Sequence, residues 1–179
     1  LERVCELLGK EAAVFMPSGT MCNQVAMLVQ VRPGEEIICD RTAHIITSEG
    51  GGGAALAGAI ARMLQGERGI YTPEQVEAAI RPDNRYNPKQ AMLEVEQTAN
   101  LGGGAVWPIE RLKAVAAVAR KHKLKTHMDG ARLMNAAGNE VYFDKPGVIE
   151  ALQFWVDLGR KHQIHPPGIV EWGTTPQDF

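Results

Sequence analysis

No stretch of this sequence approaches the ~20 consecutive apolar residues that a membrane-crossing helix needs. No charge of one sign dominates either. The 19 basic residues stand against 21 acidic ones, a net charge of −2, so composition offers no electrostatic footprint for nucleic acid. Cysteine is scarce: Cys5, Cys22 and Cys39 are odd in number and far apart, which fits neither a disulfide framework nor a zinc site. Each reads as a small buried hydrophobe, and a reducing cytoplasm is the expected setting. The start lacks both a methionine and a secretory leader, because Leu1-Glu2-Arg3 opens directly into an acidic amphipathic stretch. A chain cut within a helix is the expectation. What remains is ordinary for one globular domain: 45% hydrophobic and 22% charged residues over 179 positions, enough apolar material for a core.

The apolar pattern alternates between two kinds of element. Leu1, Val4, Cys5 and Leu8 share one helical face that Gly9 can end. Ala12–Met16 is a short apolar run of the kind a buried strand shows, and Pro17-Ser18-Gly19 turns the chain. A helix is expected over Thr20–Val31, with Val25, Leu28 and Val29 inward. Glu36–Asp40 reads as the next strand, and Gly50–Gly53 as a flexible loop or a close backbone approach. Thr72-Pro73-Glu74-Gln75 carries a helix start: a capping hydroxyl, proline at the first helical position and a glutamine that can reach back. Ala91–Glu96 and Leu124–Met128 are strands, with Gly102–Gly104 a loop between them. Pro108–His122 is an amphipathic helix with Leu112, Val115, Val118 and Ala119 inward. Strands alternating with helices predict an α/β domain with a mainly parallel sheet, whose ligands bind at the carboxyl ends of the strands.

Three segments at such ends carry polar chemistry. Ser18, Gly19 and Thr20 open a helix, where backbone N–H groups and two hydroxyls can cup a phosphate; an ordinary helix cap uses the same residues. His44, just after the Glu36–Asp40 strand, can stack on a flat cofactor or move a proton, or it can be a surface histidine. Asp129 closes the Leu124–Met128 strand, where a carboxylate can hold a protonated pyridine nitrogen and keep the ring an electron sink. Arg132, three residues on, can bind a carboxylate or a phenolic oxygen. A capping aspartate with a solvated arginine is the plainer alternative. No metal-ligand spacing is read.

Together these segments resemble the low-specificity threonine aldolases. Val14-Phe15-Met16-Pro17-Ser18-Gly19-Thr20-Met21-Cys22-Asn23 is similar to their phosphate-loop segment, and Asp40-Arg41-Thr42-Ala43-His44-Ile45 to the segment bearing their ring-stacking histidine. Leu93-Glu94-Val95-Glu96-Gln97-Thr98 followed by Gly102-Gly103-Gly104 resembles their central strand and glycine loop. Lys125–Ala136 is similar to their aspartate motif. The likeness runs in order over residues 1–137. It implies part of the three-layer α/β large domain of a fold-type-I transferase that uses pyridoxal 5'-phosphate (PLP). It also implies a lyase that cleaves β-hydroxy-α-amino acids, threonine or allo-threonine, to glycine and an aldehyde, in a homo-oligomer. In that reading Ser18, Gly19 and Thr20 hold the phosphate, His44 stacks on the ring, Asp129 pairs with the pyridine nitrogen, and Arg132 supports a substrate or cofactor oxygen.

Two departures stand out. Ala99 follows Glu96-Gln97-Thr98 where threonine-specific relatives often carry histidine. The family's Ser-Lys-Gly motif, which supplies the cofactor-binding lysine, does not occur, and Lys145 and Lys161 are the only lysines after Arg132. Weak or absent turnover is therefore expected, along with absence of the family's small C-terminal domain and uncertain subunit assembly. Residues 138–179 are different in character. Val148, Ile149, Leu152, Trp155 and Val156 form a helical face, and His165-Pro166-Pro167-Gly168 breaks the chain before Trp172. This tail resembles a stretch of the extracellular sugar-binding proteins of ABC importers, so a chimera is an alternative to a natural lyase. Two further alternatives are a non-catalytic α/β scaffold with at most phosphate or PLP binding and a solute-binding fragment.

Overall fold

Alternation of apolar and polar stretches becomes a four-stranded, wholly parallel sheet. The computed structural model describes residues 1–133 and Ala136, which fall within one compact unit, Leu1–Ala137. Helix α1 (Glu2–Leu8) ends at Gly9 in the left-handed conformation (φ 60°), as its sequence position predicts. Then come α2 (Gly19–Gln30), β1 (Glu36–Asp40), α3 (His44–Thr47), α4 (Gly52–Ala57), β2 (Ile60–Leu64), α5 (Pro73–Ala79), β3 (Gln90–Glu96), α6 (Ile109–Lys121) and β4 (Lys125–Asp129). The strand order is β2-β1-β3-β4.

That order fixes where a ligand can sit. From β1 the chain moves outward to β2 through α3 and α4. It then returns past β1 to β3 through α5, and continues to β4 through α6. A right-handed crossover puts helices on one face when the chain moves one way and on the other face when it moves back. Accordingly α2 packs with α4, and α5 with α6. The direction reverses between β1 and β3, so the crevice at their carboxyl ends is the topological switch point.

Each face has its own core. Ile38, Leu64, Leu93 and Val95 point to α5 and α6, and meet Val76, Val115 and Ala119. Tyr71 stands edge-on to Trp107 there, with ring centres 4.8 Å apart. Ile37, Cys39 and Met92 point the other way, to Met27 and Ala57. The period of two along β3 then carries Glu94 and Glu96 onto the same face as Met92. Register with β4 places His127 beside Glu94 and Asp129 beside Glu96.

Three sequence expectations need correction. Ala12–Met16 is not a strand; it lies outside the sheet with Val14 and Phe15 exposed. A short apolar run does not by itself identify a strand, and β2 occupies the edge position instead. Ile60–Leu64 escapes notice because Arg62 interrupts a strand exposed along most of its length. Helix α2 is also rotated from the expected orientation. Asn23, Gln24 and Met27 face inward, while Leu28 and Val29 are 45% and 70% exposed. Of the two forms expected for the Gly50–Gly53 run, the close approach is the one found: a Cβ on Gly52 would lie 2.6 Å from the Gln24 amide. Trp155, Trp172 and the rest of the tail lie outside the described residues.

Thr72 and Gln75 form the reciprocal capping box that their spacing suggests, with Pro73 in the first turn. Thr72→Ala is expected to lower the unfolding free energy by about 1 kcal/mol, measured by urea denaturation. A change below a few tenths would mean that the Gln75 side chain alone holds the helix start.

Candidate active site

Site residues come from four elements around the switch point. Ser18 caps α2, its hydroxyl accepting from the Met21 N–H at 3.1 Å. The first-turn N–H groups of Gly19 and Thr20 have no carbonyl one turn back to bond, and no atom lies within 4 Å of where a Gly19 Cβ would be. This helix start is open to solvent. One turn further, Asn23 turns inward and reaches the strand ends.

Asn23 is the centre of a hydrogen-bonded network that the sequence reading missed. Its amide nitrogen donates to Glu49 Oε1 at 2.7 Å and to Asp129 Oδ2 at 2.8 Å. Its amide oxygen faces His127 Nε2 at 2.9 Å. A carbonyl oxygen only accepts, so His127 donates through Nε2. The two carboxylates fix the amide's orientation in the same way, because only its NH2 end can face them. Gln24 adds a second donor to Glu49, at Oε2 and 2.8 Å. Glu49 in turn meets His44 Nδ1 at 3.0 Å. The remaining oxygen of Asp129 accepts from the Ala131 N–H at 3.1 Å.

The Nδ1 of His44 and carboxylate oxygens of Glu49 and Asp129 all lie within 4.8 Å of one another. Two ionised carboxylates at that separation repel by about 3 kcal/mol at an effective dielectric of ~20. A metal ion is one remedy, but here the Asn23 NH2 already stands between them. Hydrogen bonds to charged groups contribute about 1.5–3 kcal/mol each. That range matches the ~1.5–3 kcal/mol from fully burying a large aliphatic side chain. Asn23 makes two such bonds, which explains why α2 turns its polar face in and leaves Leu28 and Val29 out.

The surroundings are strongly acidic. Asp40, Glu49, Glu94, Glu96 and Asp129 are all buried. Asp40 is fully bonded, to Thr42 N and Oγ1 through one oxygen and to Gly66 N through the other. Burial raises the Glu96 carboxyl above its ordinary range, against the Asn100 N–H at 3.2 Å that pulls it down. Arg132, partly exposed, lies 3.8 Å from Glu96; it flanks the acidic cluster rather than joining the Asn23 network. Glu94 is 1% exposed, and its Oε1 has no partner among the described residues. Burial, then Glu96, Asp129, Asp40 and Glu49, push its carboxyl well above the usual range, which favours the neutral form. Burial also lowers His127, against Asp129 and Glu49.

The arrangement therefore offers an open anion cup, an imidazole backed by a carboxylate, and a bridged Asp129 with no basic side chain within ion-pair distance among the described residues. A buried carboxylate so placed suits a cationic ring nitrogen. The model of the beta-eliminating lyase family matches residues 1–162. The chain belongs to that family. Among curated members it is similar to the low-specificity L-threonine aldolase of Escherichia coli strain K12, with 38% identity over 132 residues, 73% of this chain and 39% of the relative. Low-specificity L-threonine aldolase 1 of Arabidopsis thaliana is 36% identical over 141 residues, 76% of this chain and 39% of the relative. The threonine aldolase of Leishmania major superposes with a TM-score of 0.67 at 26% identity, over 74% of this chain and 39% of that one. The chain thus spans about two fifths of the length of these relatives. The sheet is that of fold-type-I enzymes, and members of the family are PLP-dependent.

Asn23, Glu49 and Gln24 went unread as site residues because each looks unremarkable alone. One signal was available: Asn23 and Gln24 are successive polar residues in a stretch that otherwise reads as apolar from Met21 to Val29. Lys145 and Lys161 lie outside the described residues.

Glu94 yields a test of the acidic cluster. Its folded-state pKa is raised, so its contribution to stability is greatest below the unfolded value of about 4.3 and falls as pH rises toward the folded one. Glu94→Gln removes that loss. The unfolding free-energy advantage of Glu94→Gln over the unaltered chain, measured by urea denaturation, is expected to widen between pH 5 and pH 8, with a slope of at most about 1.4 kcal/mol per pH unit. A constant difference across that range would show that Glu94 ionises freely.

Proposed function

We propose that these residues form the cofactor-binding half of a PLP-dependent carbon–carbon lyase for β-hydroxy-α-amino acids, with threonine and allo-threonine as the substrate class. The observation that carries this reading is the meeting of His44 and Asp129, from different elements, beside the first turns of α2. In this reading Ser18, Gly19 and Thr20 bind the cofactor phosphate, His44 lies on the ring face, and Asp129 receives the protonated ring nitrogen. Arg132 binds a carboxylate or ring oxygen at the rim. Bound PLP supplies an electron sink for the carbanion left when Cα–Cβ breaks. Glu49 keeps His44 oriented through Nδ1, so its other ring nitrogen is available to hold or move a proton.

The chain as written turns over little or no threonine. Family members need a lysine that bonds the cofactor covalently, and the motif for it is missing after Arg132. Ala99 is 2% exposed. Space there is already taken: a Cβ on Gly69 would approach the Ala99 Cβ to 2.8 Å, and one on Gly102 to 3.3 Å. Position 99 therefore supplies no polar group to a substrate hydroxyl. Residues 138–179 are read as a segment of separate origin, supported by relatives aligning over only 132 and 141 residues, although the family match runs to residue 162. The proposed setting is the cytoplasm. No helix among the described residues is long and apolar enough to cross a membrane. Assembly into a homo-oligomer, as the family suggests, is part of the same reading, with a small-molecule amino acid as the sole partner and no role for nucleic acid.

PLP titration followed by borohydride reduction and intact mass tests the reading. The expected result is saturable PLP uptake that Asp129→Ala weakens by tenfold or more, little or no covalent addition, and glycine and acetaldehyde release no faster than PLP alone gives. Robust turnover abolished by Asp129→Ala would overturn the expected inactivity and direct attention to Lys145 and Lys161. Absence of PLP uptake would favour the non-catalytic scaffold.

A further inference from the structure

The Asn23 amide uses both its N–H donors and its oxygen, on three groups from two parts of the chain. Its two N–H bonds go to Glu49, just ahead of α4, and to Asp129 at the end of β4. Its oxygen receives His127, on the same face of β4. The residue itself sits on α2, three positions after Thr20, and is 5% exposed. Glu49 passes the connection to His44. One side chain thus joins the helix that opens with the phosphate cup to both residues that would touch the cofactor ring, without facing the cup itself.

We propose that Asn23 is a positioning residue: it couples the α2 start to Asp129 and to the Glu49–His44 pair, so that the ring-nitrogen and ring-face contacts stand in place before a cofactor binds. The inference rests on the PLP reading for its consequence, but not for the coupling itself. Two geometric facts support it. One amide nitrogen bonds both carboxylates, at 2.7 and 2.8 Å, so its position is fixed by the two together. The helix also presents Asn23 and Gln24 inward in preference to Leu28 and Val29, so its rotation about its own axis is set by these contacts. Gly52 completes the arrangement, since any side chain there would displace the Gln24 amide that holds the far oxygen of Glu49. Preorganisation of this kind acts through the placement of other groups rather than through contact with the ligand.

The test uses the full chain with three probes. The first is the cofactor-free protein, observed by 15N NMR of the histidines. His127 is expected as the Nε2–H tautomer with a slowly exchanging ring proton. Asn23→Leu, which keeps the volume and removes the polar atoms, is expected to abolish that protection, while Val115→Ala, a core truncation on the other face of the sheet, leaves it intact. The second probe is PLP. Asn23→Ala is expected to weaken binding tenfold or more, and Asn23→Ala with Asp129→Ala to bind within about threefold of Asp129→Ala alone, because the two act as one unit. The third is inorganic phosphate, whose affinity should stay within twofold in every Asn23 variant. An unchanged His127 signal in Asn23→Leu overturns the proposal. So does a double variant whose loss is the product of the single losses, or an equal loss of phosphate binding. If the unaltered chain takes up no PLP, the cofactor reading falls, and the His127 signal alone decides whether Asn23 couples these elements.

Discussion

Two carboxylates held near each other away from water are the constraint around which this molecule is arranged. Asp129 ends the outermost described strand and Glu49 precedes a short helix on one face of the sheet. Neither has a lysine or arginine within ion-pair distance among the described residues. An amide from a third element makes their closeness tolerable. A neutral bridge suits a site whose cation is to come from a ligand. A resident lysine or arginine between the same carboxylates would already have satisfied them.

The sheet topology makes such a meeting possible. Reversal of the order in which strands are added, between β1 and β3, separates the helices to opposite faces and leaves a crevice at the strands' carboxyl ends. Strand periodicity does the rest. Because side chains alternate, the same face that buries Ile37 and Met92 low in the sheet carries Glu94, Glu96 and Asp129 at its upper edge. Apolar packing and acidic chemistry are successive rungs of one ladder, and Glu94 is the rung where they conflict: an acid at a depth where the neighbours are still hydrophobic.

Much of this was legible in the residues. Three of the four strands, the glycine end of α1, the capping box at Thr72 and the inward face of α6 follow from periodicity and local chemistry. The unread parts share a physical cause. Ile60–Leu64 is an edge strand, whose exposed positions need not be apolar. Ala12–Met16 is apolar without a place in the ladder. Helix α2 misleads because its inward face is chosen by polar partners far away in sequence rather than by its own apolar residues. His44, Asp129 and the Ser18–Thr20 turn were visible because each stands at a strand or helix end. Asn23 and Glu49 were not, since their significance lies only in what they touch.

The Asn23–Asp129 hydrogen bond joins residues 106 positions apart, and the β1–β3 pairing joins Glu36 to Gln90. Closing loops of that size must precede any gain from the contacts they allow. The strand–helix units can condense locally, but the crevice has no local precursor. On a ribosome, Asn23 can meet Glu49 early, but its other partners, Asp129 and His127, arrive only with β4. The completed network is therefore among the last of the described features to appear.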